Sequence, residues 1–219
     1  MIRVRFPYGI SNIEKLILQG FVFVDKTEFI ERLEVQGESY VSFLRPRKFG
    51  KSLWLSILEY YYDINQKHKF ELLFGKYYIG KNPTPLHNSY RILFFDFSGI
   101  DTSDKEQAKQ GFTLSVQASI DNFFDRYPDA YSIDKQNYVR SGVDAEEKMT
   151  LFFQRYDKRA PIYVLFDEYD HFTNDILYRS LDEFVDSVSK QGYIRKFYEV
   201  IKSAARQGIV DRVFITGVS

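Results

Sequence analysis

The chain has 219 residues, with 30 basic and 30 acidic side chains, 44% hydrophobic and 18% aromatic residues, and no cysteine. This composition excludes a disordered chain, a disulfide framework, a thiol nucleophile and a cysteine-ligated metal site, and the balanced charge argues against a protein that coats nucleic acid. Because its apolar runs are shorter than a membrane span and its first seven residues lack the apolar core of a signal peptide, we expect a cytoplasmic globular protein without a membrane segment.

Short β-rich runs alternate with stretches of helical period along the chain, which predicts an α/β fold. Residues 1–38 are predicted to form a helical lead-in to a core at 39–219. Its first helix follows a capping-box pattern from Ser11 to Glu14, and its second starts near Asp25 or Thr27. The first strand is predicted at 40–44.

The remaining elements follow from the same periodicities. A helix with an apolar stripe follows the first strand, and two prolines predict a loop at 80–88. Further strands are predicted near 91–96, 162–166 and 212–216, and helices near 104–127, 144–157, 176–189 and 193–207. The strand at 162–166 is apolar throughout, which is typical of a central parallel strand buried on both faces.

The strongest chemical signal is Gly50-Lys51-Ser52, between the first strand and its helix. Glycine lets the backbone turn close to phosphates, lysine suits the β- and γ-phosphates, the serine hydroxyl suits Mg²⁺, and the helix N-terminus offers amide donors. A general phosphate-binding loop also has a glycine five residues before Gly50. This chain has Arg45 there, followed by Pro46, so the loop leaves the strand in a different way.

Three basic residues, Arg45, Arg47 and Lys48, precede Gly50. They place positive charge where a polyphosphate would bind. The alternative is a solvated basic turn.

A second signal is Asp167-Glu168, which follows the apolar strand at 162–166. In a nucleotide hydrolase a carboxylate at this place holds Mg²⁺, and the adjacent glutamate polarises the attacking water. The alternative is a polar turn that ends a buried strand. Because both signals follow parallel-type strands, whose carboxyl ends form the ligand-binding edge of an α/β sheet, their combination favours nucleotide binding.

Weaker candidates follow the other strands. Thr216 ends the fourth strand, where a polar residue can contact the γ-phosphate or the water. Asp96 and Ser98 either line the same crevice or cap the second strand. Asp170 is interpreted as a loop residue or helix cap, with a second ligand as the alternative. Arg206 and Arg212 are interpreted as surface arginines, with an arginine finger in an oligomer as the alternative.

The chain resembles the AAA-ATPase-like proteins of bacteria, a family of P-loop NTPases with an additional strand between the two Walker strands. The resemblance covers essentially the whole chain and is carried, in order, by residues 24–27, 44–53, 95–98, 166–170 and 215–219. Arginine at position 45 is usual in this family.

The resemblance implies a three-layer α/β P-loop NTPase fold of the additional-strand class, with a mostly parallel sheet. Relatives continue past the fourth strand to a fifth, so we expect residues 1–219 to be one ATPase domain truncated at its C-terminus and lacking its last strand. In the usual strand order, this would leave the strand at 40–44 at an edge of the sheet.

The resemblance also implies ATP and Mg²⁺ as cofactors. Lys51 would contact the phosphates, Ser52 and Asp167 would bind Mg²⁺, and Glu168 would activate water. Together with Thr216, which is a candidate from its position at the end of the fourth strand, Lys51 and Glu168 are the expected catalytic residues. The expected nucleotide-binding residues are Arg47, Lys48, Phe49, Gly50, Lys51, Ser52 and Leu53, with Tyr8 and Asp25 on the adenine side.

The expected function is Mg²⁺-dependent ATP hydrolysis that drives or gates an attached effector. In relatives the effector is commonly a C-terminal domain similar to restriction nucleases, so nucleic acid would be contacted only indirectly, and a homo-oligomer is a further expectation. The alternatives are a nucleotide-dependent switch with little turnover and a degenerate P-loop domain used for interactions.

Overall fold

The computed structural model describes residues 5–218. Outside the described residues lie 1–4 and Ser219. The first four belong to the segment predicted not to be a signal peptide, and Ser219 is the last residue of the fourth-strand motif. No helix in the described range is long and apolar enough to cross a membrane.

The described residues form a parallel sheet surrounded by helices. The strands are β1 (Tyr40–Leu44), β2 (Arg91–Asp96), β3 (Ile162–Asp167) and β4 (Val210–Gly217). The α-helices are α1 (Ile13–Leu18), α2 (Glu28–Val35), α3 (Lys51–Tyr62), α4 (Phe70–Phe74), α5 (Tyr78–Lys81), α6 (Lys105–Arg126), α7 (Ile133–Arg140), α8 (Ala145–Arg155), α9 (His171–Arg179), α10 (Leu181–Val188) and α11 (Tyr193–Arg206), and a 3₁₀ helix spans Ile64–Lys69.

The sheet has the order β1-β4-β3-β2, and all neighbouring strands are parallel. The predicted strands are confirmed, although β4 begins two residues earlier than the predicted 212–216. The predicted edge position of β1 is also confirmed, since β1 pairs only with β4 among the described residues. All carboxyl ends of the strands therefore lie at one edge of the sheet.

Alternate strand residues point to opposite faces of the sheet. Both faces carry apolar side chains, and helices cover each of them. Tyr163 and Leu165 of β3 join a core with α3 residues, whereas Val164 and Phe166 join a second core with residues of α6, α8 and α11. Every residue of β3 is buried, which confirms the predicted central strand. The predicted three-layer α/β arrangement is thus observed.

Helix α6 shows how sequence determines one of these layers. The carboxylate of Asp104 accepts a hydrogen bond from the Gln107 amide at 2.9 Å and caps the helix. Its buried face repeats at helical spacing and comprises Ala108, Phe112, Val116, Ser119, Ile120, Phe123 and Phe124.

The single helix predicted at 176–189 is wrong, because two helices, α9 and α10, occupy this part of the chain. They are separated at Ser180, whose backbone is extended. The Ser180 hydroxyl accepts a hydrogen bond from the Glu183 amide at 3.3 Å, so it caps the start of α10 and favours the break.

Several short helices were not predicted. Helix α7 lies between the predicted helices at 104–127 and 144–157, and Val139 is its one buried residue, so its apolar periodicity is too weak to indicate a helix. Helices α4 and α5 and the 3₁₀ helix follow α3, and α5 extends into the predicted loop at 80–88. Each of these three elements buries at most two residues, so none has a sustained apolar periodicity.

The two helices predicted before the first strand are confirmed as α1 and α2, with one change of cap. Asn12, not Ser11, caps α1, because its side-chain oxygen accepts a hydrogen bond from the Lys15 amide at 2.8 Å. The Ile13 amide donates to the Ser56 hydroxyl at 3.0 Å and thereby fastens α1 to α3, the helix that follows residues 45–50, which we call the basic loop.

Candidate functional site

The predicted site residues converge at the carboxyl edge of the sheet. In the strand register, Leu44 of β1 is paired with Gly217 of β4, and Asp96 of β2 is paired with Asp167 of β3. The loop after β1, the turn after β3 and the end of β4 therefore share one edge, as expected for an α/β ligand site.

The loop after β1 turns sharply into α3. Lys48 and Gly50 both have positive φ angles, 65° and 83°, and Gly50 occupies the N-cap position of α3. A left-handed backbone suits glycine, which has no Cβ to strain, so the conformation explains Gly50 directly. Lys48 adopts it at an energetic cost.

The first turn of α3 presents free amide groups. The first helical hydrogen bond runs from the Trp54 amide to the Gly50 carbonyl at 2.9 Å. The amides of Lys51, Ser52 and Leu53 have no hydrogen-bond acceptor among residues 5–218. These donors and the helix dipole make the start of α3 a favourable place for an anion.

Lys51 is folded back on the loop that precedes it. The side chain is buried, and its ammonium group donates to the Arg45 carbonyl at 3.0 Å and the Pro46 carbonyl at 3.2 Å. The positive charge is thus held within the loop by neutral acceptors that an anionic ligand can replace.

The other basic-loop residues are more accessible. Arg47, Lys48 and Phe49 are exposed, and Phe49 is 60% accessible. Arg45 packs over the Phe43 ring at 5.0 Å and donates to the Leu44 carbonyl at 2.8 Å. Because Arg45 is engaged with β1, Arg47 and Lys48 are the freer cations of the loop.

Asp167 and Thr216 are directly bonded across neighbouring strands. The Thr216 hydroxyl, which is fully buried, donates to Oδ1 of Asp167 at 2.6 Å, and the Glu168 amide donates to the same oxygen at 3.1 Å. Oδ2 of Asp167 accepts no hydrogen bond within the described residues. One carboxylate oxygen is therefore fixed by the protein while the other remains available to a cation.

Glu168 has an unusual backbone conformation for a residue with a side chain. Its φ angle is +48°, in the left-handed region, and its side chain is partly exposed. Such strain is typical of functional turns, where the surrounding structure holds a residue in a required orientation.

Asp96 lies beside Asp167 on β2. Its Oδ1 accepts a hydrogen bond from the Ser98 amide at 2.9 Å, so it caps the end of its strand, and its side chain is also exposed at the site edge. Both interpretations of Asp96, as a cap and as a crevice residue, are compatible with this position.

The two residues expected near adenine have different surroundings. Tyr8 is 89% exposed. Asp25 accepts hydrogen bonds from the Thr27 amide and hydroxyl at 2.9 and 2.7 Å and from the Tyr78 amide at 2.7 Å. Burial alone would raise the pKa of Asp25, but these bonds outweigh it and lower the pKa. Asp25 thus fastens the start of α2 to α5.

The interpretation of Arg212 as a surface arginine is wrong. It lies near the start of β4, at the opposite end of the sheet from the site, with 9% of its surface exposed, and it donates to the Glu38 carbonyl at 3.1 Å. Arg206 is exposed at the end of α11.

Asp170 has a role that its position in the sequence did not reveal. It precedes α9, but its side chain makes no capping bond to that helix. Instead, its Oδ2 accepts a hydrogen bond from the Val218 amide at 3.0 Å. No local spacing connects these two residues, so sequence reasoning had no signal for the contact.

Comparison with known proteins gives a match to one family model. The AAA-ATPase-like model, described as a predicted AAA-ATPase, matches residues 7–219. Neither the search of curated proteins nor the search of solved structures gave a match.

Proposed function

The chain belongs to the AAA-ATPase-like family, and from this premise we propose that it binds ATP with Mg²⁺ at the carboxyl edge of its sheet and hydrolyses it. The observation that carries the proposal is the meeting of the Lys51 loop with Asp167 and Thr216 at that edge, on β1, β3 and β4.

The residues at the start of α3 have the chemistry to hold phosphates. The free amides of Lys51, Ser52 and Leu53 would donate to phosphate oxygens, and the ammonium of Lys51 would exchange its two loop carbonyls for a phosphate oxygen. Arg47 and Lys48 would add charge at the mouth of the loop. The residues therefore fit a nucleotide polyphosphate.

The residues also fit a magnesium ion. The Ser52 hydroxyl makes no hydrogen bond among the described residues, and Oδ2 of Asp167 is likewise without a donor. Bound Mg²⁺ would supply charge neutralisation for the phosphates. Thr216 would orient Asp167 by holding its other oxygen.

Glu168 is the proposed general base. Its side chain follows the Mg²⁺-binding residue directly, and the strained backbone fixes the direction in which it leaves the turn. The Glu168 carboxylate would accept a proton from the attacking water and orient that water toward the terminal phosphate.

A nucleotide-dependent switch with little turnover is the second candidate. It is favoured by the self-bonded Lys51, because replacing its loop carbonyls by a phosphate would change the loop that leaves β1 even without hydrolysis. In either case the nucleotide would drive or gate an effector. The effector and homo-oligomerisation are parts of this proposal that rest on the family resemblance, whereas the proposed cytoplasmic location rests on the sequence pattern.

Phosphate release distinguishes the two candidates. We expect Mg²⁺-dependent release by the wild-type chain, and a loss of at least about 100-fold in Glu168→Gln, because general-base catalysis contributes that much or more. Glu106→Gln, an exposed change of the same chemistry on α6, is the matched control and is expected to keep the wild-type rate.

Equal rates in the wild type and Glu168→Gln would remove Glu168 from catalysis. ATP binding without any phosphate release by the wild type would favour the switch.

A further inference from the structure

The end of β4 is fastened to the turn that carries Asp167 and Glu168. The Tyr169 amide donates to the Thr216 carbonyl at 3.2 Å, and the Val218 amide donates to Oδ2 of Asp170 at 3.0 Å. These two bonds close the turn against the last residues of β4. The same stretch of β4 contains Thr216, which holds Asp167.

Gly217 lies between this turn and the basic loop. Its carbonyl accepts a hydrogen bond from the Arg45 amide at 3.2 Å. A Cβ at this position would lie 2.6 Å from a ring carbon of Tyr169 and 2.7 Å from Oδ1 of Asp170. The turn, β4 and the first residue of the basic loop are therefore in direct contact, with no space for a side chain.

Asp170 lowers the stability of the fold at this position. It is 8% exposed, and its Oδ1 is buried without a hydrogen-bond partner among the described residues. A buried carboxylate oxygen without a donor costs stability, so a purely structural cap would be better served by a neutral residue.

We propose that Asp170 is a positioning residue. Through the Val218 amide it holds the end of β4 against the turn. It thereby sets the separation between the basic loop, which leads to Lys51, and the Asp167–Thr216 pair. One segment of β4 contacts both halves, because Gly217 bonds to Arg45 while Thr216 bonds to Asp167. The expected change in ATP and Mg²⁺ binding rests on the proposed function, whereas the expected change in amide hydrogen exchange does not.

The experiment compares three variants of the chain. Asp170→Ala removes the acceptor of the Val218 amide, and Asp170→Asn keeps an oxygen that can accept the same bond. Asn174→Ala is the matched control, because the side-chain Nδ2 of Asn174 donates to the same oxygen, Oδ2 of Asp170, at 3.3 Å but comes from α9 rather than from β4.

The first readout is hydrogen exchange of the Arg45 and Tyr169 amides without nucleotide. We expect exchange to become about tenfold faster in Asp170→Ala, the effect of losing roughly one hydrogen bond, and to stay near wild type in Asp170→Asn and Asn174→Ala.

The second readout is ATP affinity with and without Mg²⁺. In Asp170→Ala, the Mg²⁺ concentration that half-maximally raises ATP affinity should rise about tenfold, because the end of β4, which carries the Thr216 hydroxyl bonded to Asp167, is held less firmly against the turn. Metal-free ATP affinity should stay within about twofold. A variant that merely unfolds more easily would weaken ATP binding to a similar extent with and without Mg²⁺.

Unchanged exchange and Mg²⁺ dependence in Asp170→Ala, or equal changes in Asn174→Ala, would overturn the positioning role. If Asp170→Ala does not fold, Gly217→Ala tests the same contact, because its Cβ would displace Asp170 and Tyr169 from β4. Absence of ATP binding by the wild type would refute the proposed function alone, since exchange would still decide the role of Asp170.

Discussion

At the scale of single residues, backbone strain marks the candidate site. Lys48 and Glu168 are two of the non-glycine residues with positive φ, and they lie in the loop after β1 and the turn after β3. Each conformation costs an L-residue about 1–2 kcal/mol and persists because the surrounding contacts impose it. Stability is therefore given up at both places for a particular chain direction.

The strain at Glu168 gives a prediction about stability. Glu168→Gly should be more stable than Glu168→Ala by about 1 kcal/mol, because glycine accepts the left-handed backbone and alanine does not. Both variants should lose hydrolysis. Urea unfolding measures the difference.

Glu106, in the first turn of α6, provides the comparison. At this helical position the order should reverse, with Glu106→Ala more stable than Glu106→Gly by about 0.5–1 kcal/mol. If Glu168→Gly is instead less stable than Glu168→Ala, the left-handed backbone at position 168 does not cost stability.

At the scale of elements, a buried ion pair joins β2 to the segment between α8 and β3. Arg91, at the start of β2, has a side chain that is 3% exposed and is bonded to Asp157 at 2.6 Å and Asp129 at 2.8 Å. Burial alone would raise the pKa of Asp157, but the hydrogen bonds from Arg91 and Arg159 dominate and lower it.

This pair predicts a pH dependence of stability. Because the folded pKa of Asp157 is lower than the unfolded one, its contribution is present above the unfolded value of about 4 and is lost as the pH falls through the folded pKa. Asp157→Asn should cost about 2 kcal/mol at neutral pH, since Arg91 loses a charged partner.

Urea unfolding of the wild type and Asp157→Asn across the acid range tests this. The difference in the free energy of unfolding should shrink as the pH falls below about 4. A difference that stays constant with pH would show that the charge of Asp157 does not stabilise the fold.

Strongly patterned elements could be predicted from the sequence, and weakly patterned ones could not. The five apolar residues before Asp167 identify β3, and the buried stripe of α6 identifies that helix. Helix α7 has a single buried residue, and the break at Ser180 depends on one hydroxyl, so neither leaves a periodic signal.

At the scale of the whole molecule, the site is assembled from segments far apart in the chain. Parallel pairing brings the ends of β1, β3 and β4 to one edge, which is why Lys51, Asp167 and Thr216 could be grouped before any contact was known. The contacts between strands were not predictable in this way. The bonds from Thr216 to Asp167 and from Val218 to Asp170 depend on strand register, which has no local signature.

Calorimetric titration with ATP in the presence of Mg²⁺ is the most direct measurement of nucleotide binding at this edge. The wild type and Lys202→Ala, an exposed lysine of α11, should bind ATP with equal affinity. Lys51→Ala should bind about 10–100-fold more weakly, because a charge-assisted hydrogen bond to phosphate is lost. No binding by the wild type, or equal affinity in Lys51→Ala, would contradict nucleotide binding by the loop after β1.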